Sequence, residues 1–380
     1  MTQYDVVVVG GGPVGAAFAL ELHASGSNVA LLESRAGASE AIGLRPLALS
    51  YGSRLIFERV GVWDALAAAT PIERIHVSQR GGFGRALLTA AEAALPALGY
   101  VTDYATLVAA LDAAVSRAGL KVVRGARVTT LAHDAASARV EFVSEAGVDE
   151  CIASLVVIAD GSALAAQVDI RVTDYRQSAL TAFVHTELAH GNTAYERFTN
   201  EGPIALLPFE ARHALVWTVD PAQADALMQS TSLDFLTRLQ DRFGERLGRF
   251  TQVSQRAAHH LTLRVAEDTN IGRAILIGNA AQALHPVAGQ GFNLGLRDAW
   301  ELASEIRHRS PHDEVLPAAY RARRRIDRRG GIAFTDALVR VFSNDIPGLS
   351  IARGAGLALL DNLPAVKQFV MRRMVFGSRG

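Results

Sequence analysis

Two spacings of apolar positions alternate along this chain, and together they predict its elements. A largely apolar stretch from Tyr4 to Val9 predicts a buried strand, a helical pattern runs from Val14 to about Ser25, and Asn28 to Leu32 predicts a second strand. An extended stretch from Ile42 to Ser50 comes next. Helices are predicted from Tyr51 to about Gly61 and from Tyr104 to Ala118, with short strands at Ile72 to Ser78, Arg80 to Leu88 and Gly99 to Thr102 between them. Strands at Lys121 to Arg124, Val128 to His133 and Arg139 to Ser144 lead to Ala153 to Ala159, an apolar run that stops at Asp160-Gly161. From about Val172 to Leu263 the pattern turns β-rich, with strands at Ser178 to Glu187, Ile204 to Pro208 and His213 to Val219 and a helix from about Leu233 to Phe243. Ala274 to Ile277 then returns to the short buried-strand pattern.

Composition narrows the classes this chain can belong to. It has 380 residues, enough for about two domains, with 49% apolar and 20% charged residues, which is globular. Its 38 basic and 38 acidic residues cancel, so no nucleic-acid partner is expected. Cys151 is the single cysteine, which excludes an internal disulfide, and the histidines show no metal-ligand spacing. The first strand starts by about Tyr4 without a charged leader, and no apolar run reaches membrane-spanning length. A cytoplasmic location is expected, with contact at the inner face of the membrane as the alternative.

Chemistry enters at two glycine-rich loops. Gly10-Gly-Gly12-Pro-Val-Gly15 lies between the first strand and helix, and Glu33 ends the second strand eighteen residues after Gly15. This is the Rossmann fingerprint in its proper context: Gly10 for the turn, Gly12 for close approach of a pyrophosphate, Gly15 for helix packing and Glu33 for a ribose hydroxyl. An acid at that position suits FAD or NAD and argues against NADP. The second loop follows the strand ending at Ile277, where Gly278 turns the chain and Asn279 sits at the strand end. Pro286, Gly289, Gln290 and Gly291 then bare the backbone to a flat ring, and the helix from Phe292 and Asn293 aims its unpaired N–H groups there. A strand end such as Asp160-Gly161 is also a ligand-binding position in a doubly wound sheet.

These motifs, with Gly278-Asn279-Ala-Ala, His285-Pro286 and Gly289-Gln-Gly291-Phe-Asn293, resemble the group A flavoprotein aromatic hydroxylases, the para-hydroxybenzoate hydroxylase fold. The Asn279 and Gln282 variants, with Arg45 to Ser53, Gly61-Val-Trp63 and Asp174-Tyr-Arg-Gln177, are similar to the ubiquinone-biosynthesis hydroxylases, 2-polyprenyl-6-methoxyphenol hydroxylase branch. The resemblance implies an FAD-dependent monooxygenase that hydroxylates a polyprenylated phenol through a flavin C4a-hydroperoxide, with molecular oxygen as co-substrate and NAD(P)H or a protein as electron donor. It also implies that Arg45 lies near the flavin phosphates, that Pro208, Phe209 and Trp217 line the substrate side, and that the flavin carries the chemistry, with His285 a candidate acid or base. One departure bears on the donor: relatives continue Asp-Gly with serine and arginine, whereas Ser162 to Gln167 here hold no arginine.

The expected architecture is α/β. Residues 1–71, 99–171 and 264–345 form a Rossmann-type FAD-binding domain, residues 72–98 and 172–263 an interleaved β-rich substrate domain, and residues 346–380 a C-terminal helical tail. The six arginines between Arg321 and Arg329 read as a solvated helix face pairing with Asp327 and other acids, with a lipid headgroup or protein partner as the alternative. Phe369, Val370, Met374 and Phe376 either pack on the body or touch a membrane. Alternative functions are a sibling hydroxylase for another ring position or a soluble aromatic substrate, and a non-catalytic FAD-binding scaffold in a biosynthetic complex.

Overall fold

The computed structural model describes residues 2–37, 45–161, 168–342, 344, 346 and 348–379. The Ser162 to Gln167 departure therefore lies outside the described residues. In chain order the helices are α1 (Pro13–His23), α2 (Tyr51–Arg59), α3 (Tyr104–Arg117), α4 (Pro221–Gln229), α5 (Ser232–Phe243), α6 (Gln290–Arg309), α7 (Leu316–Phe342), α8 (Leu349–Asn362) and α9 (Pro364–Phe376).

An eight-stranded sheet among the described residues carries the dinucleotide-binding motif. At its centre Ala274–Leu276, Gly147–Ile158, Thr2–Val9, Val29–Glu33 and Lys121–Arg124 lie side by side, all parallel. Both faces of such a sheet are covered, so its strands read as nearly continuous apolar runs. Val6, Val8, Leu31, Leu155 and Val157 pack against α1, α3 and α6, while Val7, Val9, Ala30, Val156 and Ile158 pack on the other face. Parallel register brings the C-terminal ends of these strands together, which places Gly10, Glu33, Asp160 and the Gly278 turn along one edge.

A nine-stranded, mostly antiparallel sheet stands beside it. One face is sealed by α4 and α5 through Trp217, Phe235, Leu239 and Phe243. The other face looks toward α7 and α8. Its strand Ile170–Thr186 starts earlier than the apolar pattern predicts, because a bulge between Asp174 and Gln177, with Arg176 at φ 52°, breaks the alternation. The strand Thr193–Phe198 and helix α4 are additions to the predicted elements. Thr193–Phe198 pairs parallel with Arg74–Gln79, joining segments far apart in sequence.

The arginine-rich stretch of α7 departs in part from the predicted solvated face. Arg324 is 5% exposed and donates to Asp298 and to Asp327, the predicted acidic partner, which is itself buried. Arg328 donates to Gln282 Oε1 and to the carbonyls of Ala266 and Ala281. Arg323 pairs with Glu301 and Glu305, and Arg321 with Asp268 on the surface. Arg321, Arg325 and Arg329 are exposed, so half of the run keeps the solvated face while Arg323, Arg324 and Arg328 form an internal clamp, with acids supplied by α6 as well as by α7.

Candidate functional site

The first loop is shaped by contacts that only glycine permits. Gly10 has φ +101°, and a Cβ there would stand 2.7 Å from the backbone of Asp160, so the loop and the Asp160-Gly161 strand end are in direct contact. A Cβ on Gly15 would collide with the carbonyl oxygen of Gly10. Gly12 is different. Its φ of −63° suits any residue, and nothing lies within 4 Å of where its Cβ would stand. Neither backbone angle nor packing requires glycine there.

Glu33 ends its strand beside this loop, 5% exposed. Its Oε2 accepts from Gly11 N–H at 2.8 Å and from Arg35 Nη2 at 3.0 Å. Its Oε1 accepts from Arg35 N–H at 2.8 Å and Ser34 Oγ at 3.4 Å. Burial alone would raise the Glu33 pKa, but the hydrogen bonds and charge of Arg35 outweigh it, holding the group below its ordinary value and ionised. A carboxylate has about four acceptor positions, and the Ser34 bond is the longest of the four that Glu33 accepts. Arg45 is exposed, its N–H donates to Asp103 Oδ1, and its guanidinium lies over the Tyr104 ring.

The second loop rests on a buried polar cluster. Asp298 Oδ2 accepts from Gly278 N–H at 3.2 Å and Gln282 Nε2 at 2.6 Å, and its Oδ1 accepts from Arg324 Nε at 2.8 Å. Asn279, just beyond, has an exposed side chain at the strand end. Gly289 has φ +59° and caps α6, and a Cβ on Gly291 would sit in ordinary contact with Leu284 at 3.6 Å. Gln290 is buried, and Phe292 stacks on Phe57 with centroids 6.3 Å apart. Asn293 is fully engaged by the protein: Oδ1 accepts from Ser50 N–H and Ser53 Oγ, and Nδ2 donates to the carbonyls of Ala48 and Gly289. It fastens the strand Pro46–Ser50 to the α6 start, a role the motif alone did not disclose.

His285 is 1% exposed and does not lie on the cavity described below. Its Nδ1 accepts from Val287 N–H at 3.1 Å, its ring meets Tyr175 edge-on at 5.4 Å, and burial pushes its pKa down to about 4. The imidazole is neutral and braces the Pro286 turn, which suits positioning better than proton transfer.

Beyond this loop opens a cavity of about 490 Å³. Pro286, Gly289 and Ala48 are part of its lining, with Pro286 exposed. Ala205, Leu207 and Val216 of the large sheet form one wall, and Leu338, Leu357 and Met374 of α7, α8 and α9 face them. Exposed Phe334, Val341, Ala352 and Gly356 mark its mouth. Pro208, Phe209 and Trp217 are not on this wall, contrary to expectation. Strand alternation turns Trp217 to the opposite face against Phe235, and Phe209 packs on Phe183 in a separate core. The wall falls one position away, on Leu207 and Val216.

A family profile described as FAD binding domain matches residues 3–327. The ubiquinone hydroxylase UbiL of Rhodospirillum rubrum is 34% identical over 383 residues, covering 97% of this chain and 88% of that one. The 3-demethoxyubiquinol 3-hydroxylase of Escherichia coli K12 is 29% identical over 386 residues, covering 97% of both. Among solved structures, p-nitrophenol 4-monooxygenase PnpA from Pseudomonas putida DLL-E4 superposes with a TM-score of 0.79 at 20% identity, covering 100% of each chain. The chain belongs to the FAD-binding domain family, among the flavin-dependent aromatic hydroxylases of ubiquinone biosynthesis.

Proposed function

We propose that this protein uses FAD and reducing equivalents from NAD(P)H to insert one atom of molecular oxygen into the ring of a polyprenylated phenol. The observation that carries the reading is the cavity, which is lined in part by Pro286 and Gly289 of the ring-binding loop, opens at a mouth among α7 and α8 and is walled almost wholly by apolar side chains. Bound FAD would supply the oxygen chemistry. Gly10, Gly12, Gly15 and Glu33 would hold its adenosine and pyrophosphate, with Asp160, Gly161 and Arg45 beside them. Gly278, Asn279 and the stretch from Pro286 to Asn293 would hold the ring. The α6 N-terminus favours negative charge there. The walls keep water from the reacting atoms, and the mouth lets an apolar tail leave the pocket. A soluble aromatic acid fits less well: among the described wall residues only Arg353 carries a cationic side chain, and its Nη2 donates to Asn344.

Cells lacking this protein are expected to accumulate one prenylated phenol short by a single oxygen atom, reversed by a restored copy, as read by mass spectrometry of ring intermediates. An unchanged quinone profile would refute the substrate class.

The same helices suit contact with a bilayer. Ile351, Leu359, Leu363, Val366 and Phe369 are exposed on or between α8 and α9, with Arg372 nearby, and no helix among the described residues is long and apolar enough to cross a membrane. Burying one large apolar side chain contributes about 1.5–3 kcal/mol. Phe369→Glu is therefore expected to reduce binding to phosphatidylglycerol-containing vesicles by about tenfold or more in a flotation assay. Equal flotation of variant and wild type would exclude this surface.

A further inference from the structure

We infer that Glu196 is the group that receives the substrate's phenolic hydroxyl and takes its proton during ring hydroxylation. This rests on the proposed reading of the cavity as the phenol site and adds the residue that recognises the phenol.

The placement follows from strand register. Glu196 is paired across the sheet with Val77 on one side and Ala205 on the other, and Ala205 with Val216. All four residues lie on the cavity wall. Glu196 is thus the one acid in an apolar row, on the wall that also includes Ala194 and Leu207. Glu196 is part-buried, and among the described residues its Oε1, screened from solvent, has no hydrogen-bond partner. Most buried carboxylates are paired, because an unpaired one destabilises the fold. Arg197, next in the chain, donates instead to Ser78 Oγ.

The other ionisable groups on the wall are Arg353 from α8, whose Nη2 donates to Asn344, and the Tyr195 phenol. The wall residues from Arg74–Gln79, Pro203–Phe209, Arg212–Val219, α7 and α9 are all apolar. No neighbouring charge offsets its loss of solvent, which pushes the Glu196 carboxyl up to about 7. That value suits the task. A phenol titrates near 10 and an ordinary glutamate near 4.3, so proton transfer to an ordinary glutamate is about a millionfold uphill. Transfer to Glu196 is only about a thousandfold uphill, small enough to be completed as the ring reacts.

The atoms balance. As the ring carbon bonds to the hydroxyl delivered by the oxidant, the oxidant's O–O bond breaks with its electron pair on the departing oxygen, the phenol O–H bond breaks, its electron pair moves into the ring and its proton goes to Glu196. That carbon's own proton then goes to the departing oxygen as the C–H electron pair restores aromaticity, and Glu196 returns its proton to the former phenol oxygen. Glu196 undergoes no redox change, and the oxidant is that of the proposed monooxygenation.

The test uses FAD-loaded enzyme, chemically reduced and mixed in single turnover with oxygen and a phenol bearing one isoprene unit. E196Q and E196L are expected to keep their FAD and fold at least as stably, since each removes an uncompensated carboxyl. Product formation should fall about 100-fold or more. Affinity for the phenol, read by its difference absorbance, should weaken in both. In the wild type kcat/KM should rise with pH through about 7 as Glu196 ionises, and E196Q should lose that limb. Wild-type turnover matched by E196Q, with the same pH profile, would overturn the role of Glu196 alone. An FAD-loaded wild type that neither binds nor hydroxylates the phenol would overturn the substrate reading as well.

Discussion

Asp298→Ala is expected to destabilise the protein by about 3–5 kcal/mol, a large part of a typical folding free energy of about 5–15 kcal/mol. Asp298 is 1% exposed and is shared by Gly278 N–H, Gln282 and Arg324. Removing it leaves the Arg324 guanidinium buried with one carboxylate, Asp327, which Arg297 also claims. Denaturant melts should therefore show a lowered midpoint at unchanged slope. A midpoint within about 0.5 kcal/mol of wild type would mean the cluster is solvated in solution. The cluster also sets an acid limit. Burial alone would raise the Asp327 pKa, but the charges of Arg297 and Arg324 outweigh it and hold the group down to about 2, against 3.8 unperturbed. Its folded value is depressed, so its contribution is present above about pH 4 and is lost as the pH falls through about 2.

Gly12→Val is expected to separate cofactor retention from folding. The open space at the Cβ position and the ordinary φ of −63° mean that the apo fold accommodates valine. The valine would displace a pyrophosphate from the N-terminus of α1. Losing two charge-assisted hydrogen bonds at about 1.5–3 kcal/mol each weakens FAD by about 10²–10⁴-fold. The purified variant should be colourless, with wild-type circular dichroism. Gly15→Ala is the contrast, since its Cβ meets the Gly10 carbonyl and the fold itself should suffer. Stoichiometric FAD in Gly12→Val would remove the pyrophosphate from this loop.

The sequence disclosed the parts of the site whose chemistry resides in glycine spacing. Gly10, Gly15 and Gly278 are local signals, each tied to a turn or a close approach, and the fold brings the Gly10 and Gly278 turns with Glu33 to one edge of the parallel sheet, whereas Gly12 has an ordinary φ and open space. What it hid depends on pairing over long range. The strand Thr193–Phe198 escaped prediction because a glutamate occupies an inward position between Ala194 and Phe198, so its alternation reads as polar. The misassigned Trp217 illustrates a related limit: a strand shifted by one position exchanges its faces, and sequence alone does not say which face meets the cavity. Arg323 and Arg324 of α7 looked solvated because three of their acids, Asp298, Glu301 and Glu305, lie on a different helix.

Asn293 closes the site across 243 residues of chain, by accepting from Ser50 N–H. At about 5–20 residues per second, a ribosome needs about 15–60 s to reach it. Throughout that interval the nascent chain already carries the fingerprint around Gly12 but no second loop to complete the grip. The strand Pro46–Ser50 is therefore fastened to the start of α6 only late in synthesis, long after it has been made.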